Sequence, residues 1–95
     1  MVELIIPITD QPRSGFVEPQ RAEYMAAAIA SMVGVQPVCI FFNGELRIQF
    51  STDQYIRLRT HYAKKWRSNV TREVKRHCAM NGYKPQLRKM VVNYN

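Results

Sequence analysis

The sequence predicts a single α+β domain with the element order β-α-β-β-α-β. Three observations carry that prediction. An Asn-Gly pair separates two apolar runs at 38–42 and 45–50, helical periodicity covers 18–34 and 51–81, and β-rich runs sit near both ends of the chain. Ninety-five residues suit one core, and a 46% hydrophobic, 22% charged composition is that of a globular protein, not of a disordered chain.

The first strand is expected over 2–8, stopping near Pro7, which lacks the N–H a sheet ladder needs. A loop rich in turn formers follows, with Thr9, Asp10, Pro12, Ser14 and Gly15. Helix signals begin at Glu18 and Pro19 and end at Gly34. Between them Tyr24, Met25, Ala28, Ile29 and Met32 recur at helical spacing.

The hairpin is the clearest local signal. Asn43-Gly44 favours a two-residue type I′ turn, because both positions need positive φ. Phe42 then pairs with Glu45, Phe41 with Leu46 and Cys39 with Ile48. One face carries Cys39, Phe41, Leu46, Ile48 and Phe50, a core face. The other carries Val38, Ile40, Phe42, Glu45, Arg47 and Gln49, an unusual mixture for a plain solvent face.

Ser51 and Gln54 have capping-box spacing and open a second helix that reaches Asn81-Gly82. Tyr55, Tyr62, Ala63, Trp66, Val70 and Val74 share one stripe, flanked by Leu58 and Met80. Opposite lie Arg57, His61, Lys64, Lys65, Ser68, Arg72, Lys75 and Arg76. Unbroken, this helix spans about 43 Å against about 23 Å for a strand, so it overhangs the sheet or breaks near Ser68-Asn69. The uninterrupted apolar spacing through Cys78 favours one continuous helix. Tyr83, Lys84 and Pro85 then read as a turn, and 87–94 as the last strand. The whole is a ferredoxin-like split βαβ arrangement: a four-stranded antiparallel sheet with two helices on one face, the second long and basic.

The net charge of +7 is uneven. Residues 1–53 hold only Arg13, Arg21 and Arg47 as bases, whereas 54–95 hold eleven bases and Glu73 as the single acid. Such clustering points to a polyanionic or acidic partner. The expected contacts to nucleic acid, RNA or DNA, or to an acidic protein surface are Arg57, His61, Lys64, Lys65, Arg72, Lys75 and Arg76, with Arg88 and Lys89 near the last strand. Ile40, Phe42 and Arg47 are possible contacts on the open sheet face, unless they pack against a loop, a second layer or the mate in a homodimer.

The element order resembles that of RNA-recognition-motif domains. The first strand has no aromatic residue, however, and the run from Gly44 to Phe50 lacks the Lys/Arg-Gly-aromatic motif, so no stacking residues carry over.

No catalytic constellation is visible. His61 and His77 are about 160° apart on one helix, and no carboxylate at helical spacing orients His61. Cys39 and Cys78 lack zinc-ligand spacing, and the four glycines each have a turn or cap explanation. The expectation is therefore a non-enzymatic, cytoplasmic, nucleic-acid-binding protein with no cofactor and no membrane association. The alternative is an inhibitor or adaptor of the kind viruses and mobile elements encode, docking on a larger protein complex through its charged helix or open face.

Overall fold

The centre of the sheet is the first strand, and its proline decides how the far edge is built. The computed structural model describes residues 1–10 and 18–94. The expected turn formers Pro12, Ser14 and Gly15 lie outside the described residues. Strand β1 (Val2–Asp10) pairs along one edge with β3 (Glu45–Phe50), which in turn pairs with β2 (Val38–Phe42). Along its other edge, β1 pairs with β5 (Val91–Tyr94) over Val2 to Ile5 and with β4 (Tyr83–Pro85) over Ile8 to Asp10. All neighbours are antiparallel, in the order β2-β3-β1-β4 with β5 also on β1.

The sheet thus has five strands where four were expected, and 83–85 is a strand, not a turn. The expected last strand is divided: Leu87–Lys89 forms a 3-10 turn, and only Val91–Tyr94 is extended. Pro7 supplies the reason. The Ile8 amide donates to the Gly44 carbonyl on the β3 side, so Pro7 faces the opposite edge, where it has no N–H to give. Its carbonyl accepts from the Gln86 amide at 2.8 Å, in the gap between β4 and β5. The missing donor falls where the ladder is interrupted, and β1 continues past Pro7 to Asp10.

The hairpin register is the expected one, from Val38 opposite Gln49 to Phe42 opposite Glu45. Asn43 and Gly44 have φ of 52° and 73°, as the turn requires. Val2, Leu4, Ile6 and Ile8 join Cys39, Phe41, Leu46, Ile48 and Phe50 on the buried face.

Helix α1 (Glu18–Val33) covers this face with Met25, Ala26, Ile29 and Val33, and packs against β2 and the last helix. Of the side chains expected at its core, Tyr24 and Met32 are exposed instead. The buried stripe is displaced by one residue and includes Arg21. The Arg21 guanidinium carbon lies 4.9 Å from the Phe41 ring centre and 4.6 Å from that of Tyr83, joining α1 to β2 and β4 through cation–π contacts.

The second helix is not continuous. It consists of α2 (Thr52–Tyr62), a 3-10 turn (Ala63–Lys65) and α3 (Trp66–Asn81). Both capping-box hydrogen bonds form at Ser51 and Gln54, and Gly82 closes α3 with φ of 82°. The break comes at Ala63, not at Ser68-Asn69. Ala63 has φ 51° and ψ −126°, and its N–H bonds to the Arg59 carbonyl. Its side chain is exposed, outside the stripe it was expected to join, and Met80 is exposed as well.

An L-residue in that backbone region carries about 1–3 kcal/mol of strain. Ala63→Gly relieves it, against about 0.4–1 kcal/mol of added unfolded-chain entropy. The expected outcome is a net gain near 1 kcal/mol, read as a higher urea midpoint at unchanged slope.

Candidate nucleic-acid interface

All eleven Lys and Arg residues after position 53 are exposed, spread over α2, the 63–65 elbow, α3 and the segment from β4 to β5. Because the helix breaks at Ala63, they do not form one straight cationic stripe. Arg57, Arg59 and His61 belong to α2, Lys64 and Lys65 to the elbow, and Arg67, Arg72, Lys75 and Arg76 to α3. Trp66, Val70, Val74 and Cys78, four residues apart, hold α3 on the core and thereby leave Arg72 and Lys75 in solvent. Arg88 lies in the 3-10 turn before β5, followed by Lys89 at the end of that turn, both exposed.

Arg76 is the exception among these cations. Its Nε donates to both Glu73 carboxylate oxygens at 3.1 Å, and its Nη2 pairs with Oε1. Glu73 is 2% exposed, so this contact neutralises a buried carboxylate. Losing it strands the charge, which is the costly way to break such a pair. Arg76→Ala is expected to destabilise the fold, read as a lower urea midpoint. Adding Glu73→Gln should restore most of that in denaturant titrations, since the stranded charge is then gone.

His77 neighbours this pair and is half-buried. Burial lowers its pKa from the usual 6.5; Arg76 pushes the same way and Glu73 opposes. The fold therefore favours the neutral ring, so the associated stability is complete above pH 6.5 and is lost as pH falls through the depressed folded value. The urea midpoint is expected to fall less between pH 7 and 5 in His77→Gln than in the parent protein. His61 is exposed on α2, with its ring centre 6.3 Å from that of Tyr62.

On the open sheet face, Arg47 is also committed. It lies 3.7 Å from Glu3 and 3.3 Å from Glu45, while the Gln49 amide donates to Glu3 at 2.7 Å. The β1–β3 register brings Glu3 beside it. Arg47, a possible contact on this face, is thus paired within the sheet to Glu3 and Glu45. Ile40 and Phe42 are exposed on β2, next to Val38.

Three cations escaped the sequence reading: Arg59, Arg67 and Lys84. Lys84 is the consequential one. It lines a cavity of 510 Å³ with Lys75, Tyr83, Pro85, Gln86, Leu87, Arg88 and Lys89. The close spacing of Lys84, Arg88 and Lys89 around Pro85 was the available signal. Lys75 belongs both to this cavity and to the α3 surface.

Burial pushes the Cys39 thiol up to about 12, which leaves it un-ionised, and Cys78 is fully buried. Among the described residues, no group of three His, Cys, Asp or Glu side chains is placed to hold a metal ion, and no helix is long and apolar enough to cross a membrane. Comparison with protein-family models, curated proteins and solved structures returns no match.

Proposed function

We propose that the protein is a small non-enzymatic nucleic-acid-binding protein that contacts the phosphate backbone through Arg57, Lys64, Lys65, Arg72 and Lys75, extended by Arg88 and Lys89. The carrying observation is that these cations are exposed and, among the described residues, make no ion pair. Exposed, unneutralised charge is what counterion release requires. The strand order supports reading the sheet as a variant of the ferredoxin-like arrangement with its fourth strand cut in two. Cys39 and Cys78 are both buried thiols, which suits a reducing compartment such as the cytoplasm.

Gently purified protein is expected to carry nucleic acid, with a 260/280 absorbance ratio well above that of Trp66 and five tyrosines, falling after nuclease treatment. A ratio that starts at the protein value contradicts the proposal. A second reading, an adaptor or inhibitor docking on another protein, draws on the exposed apolar column of β2, where Val38 and Phe42 are 60% and 63% exposed. A stoichiometric partner that survives nuclease treatment of a lysate distinguishes it.

A further inference from the structure

We propose that the cavity between α3 and the segment from β4 to Lys89 seats one nucleotide of a single strand, phosphate toward the lysines and arginine, base against Pro85 and Leu87. The inference rests on the reading above for the strand as a whole, but not for occupancy of the cavity by a nucleotide. Its volume of 510 Å³ lies within the range of roughly 300–1,000 Å³ common for small-molecule sites. Lys75, Lys84, Arg88 and Lys89 border it, and among the described residues none of them makes an ion pair. Among the described side chains, therefore, no carboxylate pairs with them in place of an incoming anion.

The rest of the lining is not that of a bare phosphate site. Pro85 and Leu87 are partly exposed and Tyr83 is buried, so apolar and cationic side chains share the lining. A nucleotide suits such a mixed lining, with its charge at one end and an aromatic ring at the other. The wall is also held in place. The Gln86 amide donates to the Pro7 carbonyl, its side chain donates to Thr9 Oγ1 at 3.3 Å, and the Lys89 and Met90 amides close the turn on Gln86 and Leu87.

Lys75 joins the cavity to the cationic surface of α3, so a strand crossing that surface is led into it. A base inside a duplex must first be unpaired and unstacked before it enters. The cavity therefore selects single strands over duplex.

The test uses the full chain and two readouts. In ¹⁵N–¹H spectra, uridine monophosphate is expected to shift the amides of Lys84 and of 86–89, and uridine to shift them far less. Lys84→Glu is expected to lose the nucleotide shifts and, in anisotropy titrations, to weaken binding of a labelled oligothymidine about tenfold, with little effect on a blunt hairpin of equal phosphate count. A native circular dichroism spectrum certifies the variant's fold. Nucleotide shifts confined to α2 and α3, or equal losses for strand and hairpin, overturn the proposal. If the nucleotide seats at 84–89 but no oligonucleotide binds, the cavity stands and the backbone-binding function fails. If oligonucleotides bind while 84–89 stay unshifted by the nucleotide, the function survives and the cavity proposal falls.

Discussion

Replacing Arg57, Lys64, Lys65, Arg72 and Lys75 together with glutamate is expected to abolish nucleic-acid binding, weakening it by about a thousandfold or more at low salt. Each change removes a cation and installs a repelling carboxylate, so a favourable phosphate contact becomes an unfavourable one. All five side chains are exposed, and none takes part in an ion pair among the described residues. Glutamate has a helix propensity close to that of lysine and arginine. The fold should therefore be preserved, as judged by circular dichroism and the thermal midpoint. Arg76 is left untouched because its loss would strand buried Glu73 and confuse lost binding with lost stability. Binding that survives the reversal removes the proposed interface.

Trp66→Ala is expected to cost about 3–5 kcal/mol. Such a loss is a large share of the roughly 5–15 kcal/mol that holds a domain folded, so the variant should be substantially unfolded on warming. Trp66 opens α3 and is 1% exposed. Its ring stands edge-on to Phe50 at 6.2 Å, 87°, and to Tyr55 at 5.4 Å, 82°. It thus ties the start of α3 to β3 and to α2, on either side of the strained elbow. Truncation opens a cavity between these elements. Trp66→Phe retains part of the packing and should lose distinctly less in urea titrations.

The legible parts of this fold were the ones governed by neighbours in the chain. Asn43-Gly44 set the hairpin register, Ser51 and Gln54 set the start of α2, and Gly82 set the end of α3. The break at Ala63 was not legible. Tyr62, Trp66, Val70, Val74 and Cys78 keep a spacing of four, which α3 satisfies alone from Trp66 onward, and neither Gly nor Pro marks the elbow.

The division of the last strand was hidden for a different reason. It depends on which edge of β1 Pro7 faces, a property of the assembled sheet. The candidate site divides in the same way. Charge asymmetry and the exposure of Arg72 and Lys75 follow from helical spacing. The capture of Arg47 by Glu3 needs a β1–β3 pairing across 44 positions of sequence. The Arg76 pairing with Glu73, three residues apart on one helix, was within reach of the sequence.

The salt dependence of oligonucleotide affinity tests the central claim most directly, comparing the parent protein with the five-site glutamate variant. If exposed cations on α2, the elbow and α3 hold phosphates, log affinity for a single strand falls linearly with log salt in the parent, by about 0.7 per phosphate neutralised. The variant should show neither the affinity nor the slope. A parent protein whose affinity is indifferent to salt, or a variant that keeps the parent's slope, contradicts the account.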